Sequence, residues 1–230
     1  MVARPYVIVN VAASVDGKID TRERRGAAIS SERDRQRVDA LRASVDAVMV
    51  GGHTVVDEDP RLTVKSAELR AERRARGESE NPAKVAVTSS LHLLKPSGRF
   101  VTDGPSRVIV FSPANAPGSP ATLRERGVEI VAMGDGRVDL CAAMTTLRDM
   151  GIRRVLVEGG GTLNFELLRL GLVDELQVFI EPVIFGGASA PTLADGSGLP
   201  REAAVLLNRT DVEVWDDGGV LLRYKVEPRE

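Results

Sequence analysis

Short runs of β-branched and apolar residues alternate along the chain with longer segments in which apolar positions recur every three to four residues. The first kind of run reads as strand and the second as amphipathic helix. Strand candidates are YVIVNVAA (6–13), DAVMVG (46–51), KVAVTS (84–89), RVIVFS (107–112), VEIVA (128–132), RVLVEG (154–159) and ELQVFIEP (175–182). Their brevity and near-continuous apolar character suit strands covered on both faces, the habit of a parallel sheet packed between helices. Ser31 and Asp34 make a capping-box-like helix start, with Val38, Leu41 and Val45 expected on the buried side. A later helix carries Leu140, Met144 and Leu147 at similar spacing, and Cys141 on it reads as a small buried hydrophobe. The charge-matched stretch AELRAERRARGESENP (67–82) reads as a solvated helix and loop. Near the C-terminus, VEVWDDGGVLLRYKVE sets two alternating runs around Asp-Asp-Gly-Gly, the signal of an antiparallel hairpin. The expectation is an α/β protein with a mixed, mostly parallel sheet, helices on both faces and a C-terminal antiparallel hairpin. With no long Pro/Gly/Ser linker, residues 1–230 are expected to form a single domain.

Charge changes the picture by exclusion. The 31 basic and 33 acidic residues nearly cancel, so no net field draws in nucleic acid or an anionic membrane surface. Aromatic residues are 3% of the chain, too few for a stacking single-strand binder, and no apolar run approaches bilayer length. The single cysteine rules out an internal disulfide and a cysteine-based metal site. His53 and His92 have no serine or cysteine nucleophile patterned beside them, and Asp57, Glu58 and Asp59 lack the spacing of a carboxylate metal loop. A cytoplasmic protein with no metal site, no nucleic-acid partner and no membrane partner is expected.

Candidate chemistry gathers at strand ends. In RRVLVEGGGTLNFELLRLG (153–171) an apolar strand runs into Gly159, Gly160 and Gly161, and Thr162 opens a helix. Glycines permit close backbone approach, and a helix start offers unpaired N–H groups and a positive dipole end to phosphate. The spacing is not G-x-G-x-x-G, which argues against a generic dinucleotide fold. A second glycine turn, DAVMVGGHTVVDEDPRLTV (46–64), follows another strand, with Gly51 in the turn and Thr54 placed to cap a helix or donate to phosphate; capping and ribose contacts are the reading of Asp57–Asp59. The first strand ends in NVAASVDGKID, where Asn10, Ser14, Asp16 and Lys18 surround a third turn and form a candidate substrate wall. Gly51, Ser14 and Gly160 are expected to converge on one cradle. Glu158, at the end of an apolar strand, is costly to bury unless it works in chemistry or binds nearby backbone N–H groups.

PYVIVNVAASVDGKI, the run from LRASVDAVMVGGHTV to EDPRLTV, VLVEGGGTLN, and LVDEL followed by PVIFGG together resemble the riboflavin-biosynthesis pyrimidine reductases, from Arg4 to about Val226. Both the stand-alone form and the reductase half of the bacterial bifunctional protein share these blocks in this order. The resemblance implies a dihydrofolate-reductase-like fold, a homodimer, and NADPH as cofactor for a phosphoribosylaminopyrimidine whose ribose becomes a ribityl chain. It places cofactor contacts at Gly51, Thr54, Glu58, Ser89 and the loop Gly159, Gly160, Gly161, Thr162, Leu163, Asn164. Many relatives have Asp where this chain has Glu58. On the substrate side it points to Arg42, Lys65 and Glu158; Arg61 and Lys18 add further positive charge for a 5′-phosphate, beside Asn10 and Ser14. The Arg-Gly-Ala-Ala-Ile-Ser stretch (25–30) departs from relatives with a tryptophan and serine there. The zinc deaminase of the bifunctional protein needs a P-C-x-x-C pattern, which one cysteine cannot supply.

The implied reaction needs no metal, because a glycosylamine ring-opens to an imine at C1′ that accepts hydride. Glu158 and Asp16 are the candidate catalytic acids, placed to favour positive charge on the imine nitrogen. Two alternatives stay open from sequence: a same-fold reductase acting on a dihydropterin, dihydrofolate or other heterocycle, and a nucleotide-binding protein without turnover.

Overall fold

The computed structural model describes residues 3–228. In chain order the elements begin with β1 (Tyr6–Ser14), α1 (Glu32–Ala43), β2 (Ala47–Gly51), α2 (Gly52–Glu58), α3 (Ala67–Ala75) and β3 (Ala83–Val87). Then come α4 (Arg99–Thr102), β4 (Val108–Ser112), α5 (Ala121–Arg124), β5 (Glu129–Ala132), α6 (Leu140–Asp149) and β6 (Arg154–Val157). The chain closes with α7 (Gly161–Arg169), β7 (Glu175–Glu181), β8 (Leu207–Val214) and β9 (Val220–Val226). Every strand expected from the apolar runs is present.

Two compact units divide these elements: Gln36–Leu156 with the N-terminal residues up to Pro5, and Tyr6–Arg35 with Val157–Glu230. In the first, the strands lie in the order β5-β4-β3-β2-β6. The pairs β2–β3, β3–β4 and β4–β5 are parallel. Ala47, Val48 and Met49 on β2 are fully buried, so both faces of that strand are covered, as a parallel sheet between helices requires. In the second, the order is β1-β7-β9-β8, with β1 and β7 parallel and β9 antiparallel to both of its neighbours. The Asp-Asp-Gly-Gly turn closes the β8–β9 hairpin, Trp215 N–H donating to the Gly219 carbonyl and Gly218 sitting at φ 88°.

Three sequence readings are corrected. Helix α1 starts where expected, Ser31 Oγ accepting from Asp34 N–H at 3.3 Å. Its fully buried positions, however, are Asp34, Asp39 and Ala43; Val38 and Leu41 are only half-buried, and Val45 lies beyond the helix end. Asp39 is accommodated because its two carboxylate oxygens accept from Lys65 N–H (2.6 Å) and Ser66 N–H (2.8 Å), partners remote in sequence. On α6, Asp139 caps the start and Leu140, Ala143, Met144 and Leu147 face inward, which turns Cys141 to solvent. On α3 the charged residues are not all solvated: Arg73 is buried, bonding the carbonyls of Ala43, Val45 and Ser79.

Candidate active site

In the first unit, Gly51 ends β2 as the parallel partner of Val87 on β3, so the carboxyl ends of two neighbouring strands open onto the same edge. Gly51 is the N-cap of α2, in extended conformation and without a side-chain cap bond. The helix begins flush against β3: a Cβ on Gly52 would lie 2.5 Å from Thr88 Oγ1. Thr54 therefore sits within the first turn of α2 and does not cap it, which corrects the capping role read from sequence. Thr88 Oγ1 donates to the Ser90 carbonyl (2.8 Å) and accepts from Ser90 N–H (3.2 Å), a local turn that leaves Ser89 exposed beside this edge. Gly51, Thr54 and Ser89 are thereby brought together. Glu58 lies about one turn beyond Thr54, at the exposed end of α2.

Asp59, the next residue, takes a left-handed conformation (φ 43°) as C-cap, and its carboxylate accepts from Arg99 and Phe100 N–H, capping α4. This bears out capping for one member of the acidic triplet. Leu62, buried, also has positive φ (51°), so the Pro60–Arg61 segment is pinned between two uncommon backbone conformations.

Arg42, in the last turn of α1, donates to the Thr63 carbonyl (3.2 Å), and Lys65 follows two residues later with an exposed side chain. These two cations share one stretch of backbone. Arg61 pairs with Asp103 at 2.8 Å and lines an open cleft of ≈ 390 Å³ with Thr63, Arg70 and Arg74.

In the second unit, β1 and β7 end side by side, Ser14 opposite Glu181. Asn10 and Ser14 are buried. The turn after β1 is tightly organised: Ser14 Oγ donates to Asp16 Oδ1 (2.7 Å) and accepts from Lys18 N–H (2.9 Å), with Gly17 at φ 77°. The Asp16 carboxylate also accepts from Phe185 N–H (3.2 Å) and Gly186 N–H (2.7 Å). The Ser14 hydroxyl bond, aided by the Gly186 and Phe185 N–H groups against some desolvation, holds Asp16 below its ordinary value of 3.8. These bonds favour the charged form, and they tie the Val183–Gly187 loop to the β1 turn. Lys18 bridges Thr192 through its backbone, and its ammonium donates to the Ala190 carbonyl at 3.4 Å.

Gly159 and Gly160 both take positive φ (127° and 86°), conformations open to glycine and costly for other residues. They turn the chain from β6 into α7, whose N-cap Gly160 provides no side-chain bond. A helix start of this kind leaves its first N–H groups for an anion. Thr162 on this turn is exposed, whereas Leu163 is buried. Asn164, fully buried, donates from Nδ2 to the Leu193 carbonyl (2.9 Å), so it anchors a neighbouring loop. Half-buried Glu158 lies immediately before these glycines. Gly51 belongs to the first unit, and Ser14 and Gly160 to the second.

The family model of the RibD C-terminal domain matches residues 5–222. The chain belongs to this family. Among RibD-family relatives, the 2,5-diamino-6-ribosylamino-4(3H)-pyrimidinone 5′-phosphate reductase of Archaeoglobus fulgidus is 42% identical over 202 residues, 88% of this chain and 91% of that one. A solved RibD structure from Acinetobacter baumannii superposes with TM-score 0.79 at 25% identity, over 97% of this chain and 58% of that one. Dihydrofolate reductase from Enterococcus faecalis, 12% identical, superposes with TM-score 0.50 over 96% of each chain and shows the fold. The RibD-family chain therefore has the dihydrofolate-reductase-like fold expected from its motifs.

The sequence pattern missed the segment that supports α7. Asp195 N–H donates to the Gly161 carbonyl (3.0 Å), while the Asp195 carboxylate accepts from Thr192 N–H and Oγ1. A Cβ on Gly161 would lie 2.4 Å from the Thr192 carbonyl. The third glycine of the run is thus required by this packing. No local signal in Thr192–Asp195 announces it, beyond an Asp three residues after a Thr.

Proposed function

We propose that this chain uses NADPH to reduce the ribosylamino group of a 5′-phosphoribosylaminopyrimidine to the ribitylamino form in riboflavin biosynthesis. The observation that carries the proposal is the uncapped start of α7, entered through two positive-φ glycines and seated by Gly161, in a member of the RibD C-terminal family. The name of the 42% identical Archaeoglobus relative supports the substrate class. Each unit carries residues that suit part of a dinucleotide: in the second, the Gly160–Leu163 turn suits a pyrophosphate, and in the first, Thr54, Glu58 and Ser89 offer hydroxyl and carboxylate contacts.

NADPH, when bound, supplies the hydride that reduces the imine carbon C1′. Glu158 is the candidate acid: its carboxylic acid form would pass a proton to the attached nitrogen, and the carboxylate left behind would offset the positive charge formed there. Asp16, already an anion engaged by Ser14, Phe185 and Gly186, positions the Val183–Gly187 loop. Arg42 and Lys65 of the first unit are the candidates to take the 5′-phosphate of the substrate, and Lys18 is the candidate cation of the second.

The test is NADPH oxidation by the purified protein with the pyrimidine in its aminated and deaminated forms and with dihydrofolate. Turnover with a pyrimidine and none with the folate is expected; the reverse would replace the substrate, and tight NADPH binding without turnover on any of them would leave a binding protein. Arg42→Ala is expected to raise KM for the pyrimidine by about tenfold or more with NADPH affinity unchanged, since one charge-assisted phosphate contact is worth roughly 1.5–3 kcal/mol. Glu158→Gln is expected to lower kcat about a hundredfold in a folded protein, and full activity would return Glu158 to a structural role.

The working form is a homodimer, in the reducing cytoplasm that the lone Cys141 suits. The exposed edge strand β8 supports association, with Val212 at 40% and Val214 at 77% exposure. Light scattering should give twice the 24.7 kDa chain mass, reduced by Val214→Lys. A monomeric native protein would remove this part of the proposal.

A further inference from the structure

We infer that Lys84 is a positioning residue for the cofactor contacts on α2, acting through α4 and Asp59. It deepens the proposed function and rests on the reading that Thr54 and Glu58 contact the dinucleotide.

Lys84 lies on β3 with its side chain fully buried, an uncommon place for an ammonium group. Its Nζ donates to the carbonyls of Phe100 (3.1 Å), Arg99 (3.4 Å) and Asp103. Three donors meet three acceptors, all from the short helix α4 and the residue that follows it. A cation at this end complements the negative pole of the helix. The opposite pole is held by an anion, since the Asp59 carboxylate accepts from Arg99 N–H at 2.8 Å and Phe100 N–H at 2.9 Å. α4 is thus gripped at both ends by side chains from outside it.

The anion is not a neutral anchor. Asp59 is the C-cap of α2, its own N–H donating to the Val55 carbonyl at 3.0 Å. The Arg99 guanidinium returns from α4 to the Glu58 carbonyl at 2.7 Å. Gly98 completes the joint, because a Cβ there would lie 2.9 Å from Asp59 Oδ1. The Glu58 carbonyl and the Asp59 carboxylate are therefore held from α4, and α4 is held by Lys84. Burial pushes Lys84 down from 10.5 to about 8, while Asp103 and then Asp59 draw it upward. A buried charge that desolvation opposes is an expensive way to fill space on a strand. Its geometry instead serves to set the end of α2.

The test uses Lys84→Met and Gly98→Ala in the full chain. Gly98 has φ −70° and ψ 155°, open to alanine, so that substitution presses first on Asp59 Oδ1 (2.9 Å) and then on the Lys95 carbonyl (3.1 Å), and it carries the test alone if Lys84→Met does not fold. Amide exchange at Asp59 and across α4, NADPH affinity, and steady-state kinetics are measured. Expected are faster exchange at Asp59, about tenfold weaker NADPH binding and higher NADPH KM, with kcat at saturating NADPH and pyrimidine KM within about twofold. Faster exchange with unchanged NADPH affinity would overturn the proposal and make Lys84 a fold-supporting residue only. Unchanged exchange would overturn the mechanical link itself. A wild-type protein that binds no dinucleotide, yet whose variants loosen Asp59, would refute the functional reading and the positioning role with it, while leaving the link intact.

Discussion

Gly161→Ala is expected to weaken NADPH binding at least about tenfold and to lower the thermal midpoint by roughly 2–12 °C. The new methyl carbon would lie 2.4 Å from the Thr192 carbonyl and 2.6 Å from Asp195 Oδ2. One of these is backbone and cannot swing aside, so either the Thr192–Asp195 segment or the first turn of α7 must move. That segment is tied to α7 by Asn164 Nδ2 to Leu193 and by Asp195 N–H to Gly161, and to the β1 turn by the Lys18–Thr192 bridge. A shift therefore reaches the helix start proposed for the pyrophosphate and the cation beside Ser14 together. Fluorescence titration of NADPH and a melting curve measure both effects. Wild-type affinity in a destabilised variant would show that the start of α7 does not hold the cofactor phosphates.

Arg73→Met should act on stability without touching cofactor affinity. The buried guanidinium bonds Ala43 and Val45 from Nη1 and Ser79 from Nε, and Glu78 lies 3.3 Å away. Methionine keeps much of the stem's volume but withdraws the Arg73 donors from the Val45 and Ser79 carbonyls and leaves Ala43 to Arg76 alone. Losing one side of a buried charged network costs about 3–5 kcal/mol, or roughly 6–20 °C in a chain of this size. Chemical denaturation, with the slope checked for constancy, gives the value directly. A loss under about 1 kcal/mol would mean that water reaches these carbonyls and replaces the arginine.

The contrast between these two residues explains what the sequence could carry. Strands were legible because each is a compact β-branched run with turn residues at its ends, and burial on both faces leaves that run unbroken. The glycine turns were legible for a related reason, since a positive φ at Gly159 and Gly160 admits few residue types. What escaped are side chains whose purpose is set by distant backbone. Nothing in the segment around Asp39 announces that Lys65 and Ser66 supply it with two N–H donors. Arg73 looked solvated because its acceptors, Ala43 and Val45, lie some thirty residues earlier. Cys141 was misplaced by a smaller error of phase, one position from the inward-facing Leu140. Likewise nothing in the motif around Asp16 announces that Ser14 and the Phe185–Gly186 backbone engage its oxygens.

The pairing of β1 with β7 has a consequence for biogenesis. The Tyr6 hydroxyl meets the Glu175 carboxylate across a separation of 169 residues. During synthesis the first strand leaves the ribosome long before its parallel neighbour exists, and Gln36–Leu156 is made in the interval. An apolar ribbon with open edges must therefore wait through most of translation, which favours slow, late assembly and a demand for chaperone shelter.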